Sequence, residues 1–509
     1  MPATYANPIL PGFHADPSIV RAGGDYYLVA SSFEYFPGVP VYRSRDLTNW
    51  KQVGNALTRE SQLKLAGQKS SKGIFAPTIR SHDGTFYMVT TNIELGGSFY
   101  VTTKDPAGDW SEPIFVGESG FSMDPSLLFD DDGKVYYTRH GGGRNGGIYQ
   151  SQIHLATGKL REAPRLIWSG TGGIWPEGPH LYRIGGTYYL MISEGGTSYQ
   201  HSLTVARSKS PWGPFEANPA NPILTHRDKP DLPLQAVGHG DLVQTADGSW
   251  WVTLLGIRPT NRHHHLGRET LLAPVTWDAQ GWPHVNHDQP LALEMSAAGL
   301  PRPSPFPRVP MRTEFDGSSL GPQWVHLRSA SSDRFSLTDR QGFLRLKGNA
   351  ETLDEIGSPA FVARRQEHFR ARAATRVEFV PKGDGQVAGL VLRQDEANHY
   401  ELRIAGTTTG RRVELATRVA GTTTIQRNET IGPGPVNLEV NAFRDRYEFA
   451  YTVGDAAQRK LGAAPTDALS SEKTGGFTGV FIGIYASNAA GATMPPADFA
   501  WFDYEPLDD

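Results

Sequence analysis

Three carboxylates recur at the head of a repeated motif: Asp16 in Asp16-Pro-Ser-Ile-Val, Asp124 in Asp124-Pro-Ser-Leu-Leu and Glu177 in Glu177-Gly-Pro-His-Leu. Like charges crowded in a partly dry pocket do not all ionise: one pKa rises and that group donates a proton at neutral pH, while another stays a base. Such a set hydrolyses glycosides, with the acid protonating the leaving oxygen while its partner either activates water or attacks directly. A separation of ~5–5.5 Å between the pair gives retention and ~6.5–9.5 Å gives inversion, a distance no sequence measures. One carboxylate at a strand entrance ordinarily caps a turn. Three in register around a common axis share a task.

The element that brings them together is an internal repeat. Segments starting at Asp16, Ala76, Asp124, Glu177 and His239 each run from an apolar pair through a turn into paired aromatics. The turns (Gly23-Gly24, Asp83-Gly84, Asp132-Gly133, Gly185-Gly186, Asp247-Gly248) are hairpin signals. The starts lie roughly 50–60 residues apart, enough for a four-stranded antiparallel sheet with loops, and five such sheets predict a five-bladed β-propeller over residues 1–300. The first strand of each blade lines the central channel, so the three acids should converge at one mouth. His239 holds the matching place in the fifth repeat and is expected to point along the same axis, as a structural donor or beside an ion or its water. Arg268 is placed either to send a cation toward the acids or to form a surface ion pair. His263-His264-His265 reads as a loop near the mouth, because adjacent residues of an extended segment face alternate sides.

At 509 residues the chain exceeds one core of ~250–300 residues. Residues Ala297–Pro310 carry five prolines, and 301–312 are expected to form a semi-rigid linker. Beyond it, alternating segments such as Phe343-Leu-Arg-Leu, Tyr400–Ile404 and Val480–Tyr485 predict a β-sandwich over 313–509, in an all-β protein with almost no helix. The absence of cysteine excludes disulfides, thiolate metal sites and thiol nucleophiles. A net charge of −4 without charge runs gives nothing to attract nucleic acid or an anionic membrane, and no apolar stretch is long enough to span one. Eleven Trp, 19 Tyr and 23 Phe supply flat faces for a neutral polar ligand such as a small oligosaccharide. The start at Met1 lacks a basic segment followed by an apolar one, so the expectation is a cytoplasmic protein if Met1 is the native start and a secreted one if a signal has been removed.

Together, Asn7-Pro-Ile-Leu-Pro-Gly-Phe-His-Ala-Asp16-Pro-Ser, Ser32-Phe-Glu-Tyr-Phe-Pro-Gly-Val-Pro, Met123-Asp124-Pro-Ser, Trp175-Pro-Glu177-Gly-Pro-His, Gly238-His239-Gly-Asp and Leu266-Gly-Arg268-Glu-Thr span nearly the whole chain. In these motifs the protein resembles the glycoside hydrolase family 43 enzymes, especially two-domain β-xylosidases and α-L-arabinofuranosidases. The resemblance implies inverting, exo-acting hydrolysis, with Asp16 as general base, Glu177 as general acid and Asp124 tuning and orienting that acid. It further implies that Arg268 contacts the sugar and that Phe33 and Phe75 form apolar walls, Phe75 standing where the family commonly has Trp. A concanavalin A-like sandwich would lend an aromatic to the pocket, Phe477 first and Phe481 second. No cofactor is required for the chemistry; the ion implied is a calcium near His239, held through water. The leading expectation is β-xylosidase action on xylo-oligosaccharide ends, with α-L-arabinofuranosidase or dual activity as the alternative. A non-catalytic carbohydrate-binding propeller and a lyase or transferase on the same fold are more remote, and homo-oligomerisation is left open.

Overall fold

The computed structural model describes residues 3–118, 120–329, 333–491 and 493–507. Five antiparallel sheets succeed one another along the first half of the chain. Their innermost strands are Ser18–Ala22, Gly73–His82, Ser122–Phe129, Glu177–Ile184 and Gln235–Gln244, and each is followed outward by its sequence neighbours. Two-residue hairpins join the first two strands where the sequence has Gly23-Gly24, Asp83-Gly84 and Gly185-Gly186; both central residues of the last two have positive φ, as the favoured tight turns require. The ring closes on itself: Thr4–Ala6 pairs with Glu294–Ser296, and Leu10 bridges to Thr270 of the fifth blade. Closing the ring in this way ties the first blade to the last, and the blades keep only short outer edges.

Below the mouth the channel is plugged by a charged knot. The fully buried Asp241 accepts hydrogen bonds from Ser18 Oγ at 2.6 Å, Arg80 Nη1 at 2.8 Å and Tyr182 Oη at 2.6 Å, so three further blades meet on one carboxylate of the fifth. This is the arrangement that makes burying a charge tolerable.

Residues 297–311 carry no strand; Ser304 N donates to Asp46 Oδ2 at 2.6 Å, which pins the segment to the first blade. The second domain is a sandwich of two antiparallel sheets. One is centred on Ala371–Glu378, Val436–Ala442 and Ala497–Pro506, the other on Gln386–Arg393, His399–Thr407 and Phe481–Asn488. Alternate residues of both, among them Val377, Val440, Leu390, Leu402, Ile484 and Phe499, fill the space between them. The one α-helix among the described residues is the single turn Ser471–Thr474. The two domains share a short sheet, His326–Leu327 pairing with Tyr35–Phe36.

Candidate active site

The inner strands are not regular at the channel mouth. Pairing with the second strand breaks between Phe75 and Thr78, Met123 and Ser126, Glu177 and His180, and Gly238 and Asp241. The unpaired residues swing toward the axis, and Asp124, Gly178 and His239 take positive φ there, as does Asp16 just before its strand. This corrects the expected register by one position. Gly178, not Glu177, is the equivalent of Asp124 and His239; Glu177 is the last paired residue before the bulge, like Phe75 and Met123. Both phases face the cavity because the bulge re-aims the chain. Position 178 has no room for a side chain: a Cβ there would lie 3.0 Å from His239 Nε2, with φ at +59°.

A cavity of about 420 Å³ opens at this mouth, and Asp16, Asp124, Glu177, His239, Arg268, Phe33, Phe75 and Phe477 all line it. Thus every residue given a part in the catalytic pocket but one is there. The exception is Phe481, which is fully buried and stacked on Tyr35 with ring centroids 3.8 Å apart; it supports the wall and does not form it. Met123, Trp175, Phe121, Thr197 and Lys72 are among the other lining residues. The sequence carried a usable sign for Trp175, since it stands two residues before Glu177. Phe121 and Lys72 lie in loops and gave none.

The three acids have different surroundings. Asp16 Oδ1 accepts from Arg268 Nη1 at 2.7 Å and Oδ2 from Ser31 Oγ at 2.6 Å, with His239 Nδ1 3.6 Å from Oδ1. Burial works against its charge, but Arg268, His239 and the Ser31 hydroxyl outweigh it and hold the Asp16 pKa below the ordinary value. Asp124 Oδ2 accepts from Gly178 N at 3.0 Å; burial, with the Asp16 charge adding to it, raises this pKa despite His239. Glu177 is pushed well above the usual range by burial and by the negative charges of Asp124 and Asp16, which Arg268 offsets only in part. The surroundings therefore favour charge on one carboxylate and oppose it on another inside one cavity.

Aromatic rings enclose the other side. Phe33 meets Phe75 edge-on at 5.0 Å, and Phe477 lies 6.1 Å from Phe33 and 6.2 Å from Phe75. Phe477 comes from the sandwich domain and is held by its own backbone, N donating to Ser71 Oγ at 2.8 Å. Arg268 lies over both Phe33 and Phe477 at 5.8 Å, so its charge is flanked by rings while Nη1 points at Asp16. Of the three histidines, His264 Nδ1 meets Glu472 Oε1 at 2.7 Å and His265 is buried against Phe369 and Tyr447. They dock the sandwich on the mouth loop.

Residues 5–283 match the family model described as glycosyl hydrolases family 43, and residues 312–505 match the beta xylosidase C-terminal concanavalin A-like domain. The chain belongs to glycosyl hydrolases family 43. It is 46% identical to the non-reducing end alpha-L-arabinofuranosidase BoGH43B of Bacteroides ovatus, covering 99% of this chain and 95% of that protein. It is 41% identical to a xylosidase/arabinosidase of Butyrivibrio fibrisolvens over 98% of this chain and 99% of that one. Among solved structures, the Bacteroides ovatus xyloglucan PUL GH43B superposes with a TM-score of 0.96 at 45% identity, covering 99% of this chain and all of that one. This family 43 hydrolase is thus a glycosidase of propeller-plus-sandwich build.

Proposed function

We propose that the enzyme is an exo-acting, inverting hydrolase of terminal pentosides, releasing xylose from the non-reducing ends of xylo-oligosaccharides. The observation that carries this reading is the contrast inside the cavity: Asp16 is paired with Arg268, whereas Glu177 is buried among negative charges. In this mechanism Asp16, the ionised carboxylate, takes a proton from water as that water attacks the anomeric carbon. Glu177 delivers its proton to the glycosidic oxygen in the same displacement, and the C–O bond to the leaving sugar breaks. Asp124 keeps Glu177 protonated through its charge and stays oriented by the Gly178 N–H. Arg268 anchors Asp16 and has further N–H groups for sugar hydroxyls.

The shape supports exo action. The Asp241 knot closes the channel below, and Phe477 with Phe33 and Phe75 walls the side, so a chain end enters while a chain interior has no path through. Calcium prefers six to eight oxygen ligands, and Asp16 Oδ1 is already bonded to Arg268, so His239 would hold such an ion through water and not by its own nitrogen. It would supply positive charge beneath the acids, and no step above uses it.

The high identity to an α-L-arabinofuranosidase favours a second reading, in which terminal arabinofuranose is cleaved by the same residues. Aryl β-xyloside and aryl α-arabinofuranoside assayed side by side rank the two; arabinofuranoside turnover dominating by orders of magnitude would reverse the order. A proton NMR time course should show α-xylose as the first sugar released from a β-xyloside, and β-xylose first would reject inversion.

A further inference from the structure

Away from the cavity, on the sandwich, Asp354, His399 and Glu401 each bring one ligand atom into a cluster, all within 4.8 Å of one another. His399 and Glu401 are two apart on one strand and so share a face; Asp354 comes from the loop before Ala360–Arg365. His399 is fully buried, and its Nε2 lies 3.2 Å from Asp354 Oδ1 and 3.2 Å from Glu401 Oε1, aligned for a hydrogen bond to neither among the described residues. These separations exceed the ~2.7–2.9 Å of a charge-assisted N–H···O bond. They approach the edge of about 3.3–3.5 Å that a tetrahedron of ligands at zinc bond lengths would have.

The surroundings fit metal ligation too. The His399 Nδ1–H points to the Asp395 carbonyl at 3.2 Å, the bond that orients a metal-binding imidazole and leaves the Nε2 lone pair free. Each carboxylate has one oxygen engaged elsewhere: Glu401 Oε2 by Arg403 at 2.7 Å and by Tyr485, Asp354 Oδ2 by Arg418 at 3.2 Å. The other oxygen of each faces Nε2. Asp354 is 43% exposed, which opens a path for an ion and a place for a water as fourth ligand.

We propose that Asp354, His399 and Glu401 form a structural site for a divalent cation of the zinc class, distinct from the catalytic cavity. The ion would clamp the loop carrying Asp354 to the start of the His399 strand. Both neighbourhoods touch the domain contact: Gly357 O accepts from Arg328 Nη1 at 2.9 Å, and Glu396 Oε1 accepts from Arg393 Nη2 at 2.8 Å and Ser70 Oγ at 3.0 Å. Zinc bound here would therefore firm the seam that carries Phe477.

The rival occupant is a proton. Burial works against charge on His399, yet the two facing carboxylates raise its pKa, so an imidazolium–carboxylate cluster is the alternative. The full-length protein, stripped with chelator, is titrated with zinc chloride by calorimetry and followed by thermal melting, beside His399→Gln and the milder, exposed Asp354→Asn. His239 is intact in all three, so any zinc it takes is common to them. The proposal expects one zinc site at micromolar affinity that both variants lose, and a zinc-dependent rise of several degrees in the wild-type melting temperature that Asp354→Asn abolishes. Calcium and magnesium should give no such rise. Equal zinc binding by wild type and Asp354→Asn would overturn it. So would wild-type melting that ignores zinc and instead falls as pH rises through neutrality, the sign expected of a histidine whose folded pKa is raised.

Discussion

Arg268 and Asp16 are joined by a 2.7 Å bond from Nη1 to Oδ1, and neither Asp124 nor Glu177 has an arginine or lysine bonded to it among the described residues. In the proposed mechanism that single pairing separates base from acid. Replacing Arg268 by Met removes the cation that holds the Asp16 pKa down, so the base becomes protonated at higher pH. The acidic limb of the kcat/KM profile should move upward, and kcat/KM at neutral pH should fall ~10²–10⁴-fold, the range for losing a positioned proton-transfer group. An unmoved acidic limb would remove Asp16 from the role of base.

Glu177→Gln keeps the shape and removes the proton. Hydrolysis of xylobiose, whose leaving group needs protonation, should drop ~10²–10⁴-fold, while an activated nitrophenyl xyloside loses far less. The basic limb of the wild-type profile should disappear in the variant. Equal losses on both substrates would point to distortion of the cavity instead.

The fold was readable from the chain because period-2 alternation and tight-turn glycines act locally, so five copies announce five hairpins at Asp83-Gly84, Gly185-Gly186 and their counterparts. The site was readable less fully. Asp16, Asp124 and His239 could be aligned by motif, but Glu177 reached the mouth by way of a bulge, and a break in pairing depends on neighbouring strands that the motif does not contain. Phe477 was named only through family resemblance. Glu34 and Arg393 went unnoticed: both are fully buried and 3.5 Å apart, yet they come from different domains and no local pattern links them.

The Asp241 knot should set the acid stability of the propeller. Burial alone would raise this pKa, but Arg80, His180 and Ser18 reverse the effect and depress it from the ordinary 3.8 to about 2. The stabilisation is then fully present above about 3.8 and is lost as pH falls toward 2. It amounts to about 2 kcal/mol for a shift of this size. Asp241→Asn should melt lower at neutral pH and lose less stability than wild type between pH 4 and 2, as melting curves across that range would reveal. Parallel loss in both proteins would place the acid sensitivity elsewhere.

The reach of Phe477 into the cavity depends on a relay across the domain seam. Arg393 lies against Glu34 at 3.5 Å, Glu34 Oε2 accepts from Ser71 N at 3.0 Å, and Ser71 Oγ accepts from Phe477 N at 2.8 Å. If the relay positions the wall, Ser71→Ala and Phe477→Ala should act on the same parameter. Both should raise KM for xylobiose, Phe477→Ala by about tenfold for an aromatic contact worth ~1.4 kcal/mol, with kcat changing less because neither residue meets the acids. Arg393→Met differs in kind. It leaves the buried Glu34 with only the Arg328 charge acting on it and removes the 2.8 Å bond to Glu396, a loss of about 3–5 kcal/mol for a broken buried pair, so it should lower the melting temperature as well as raise KM. Adding Glu34→Gln to Arg393→Met should recover part of that stability, since one of the two carboxylates that lost Arg393 is neutralised, without restoring KM. Melting and steady-state kinetics on the four variants separate the two roles; a KM untouched in Ser71→Ala would mean that Phe477 is placed by the sandwich alone.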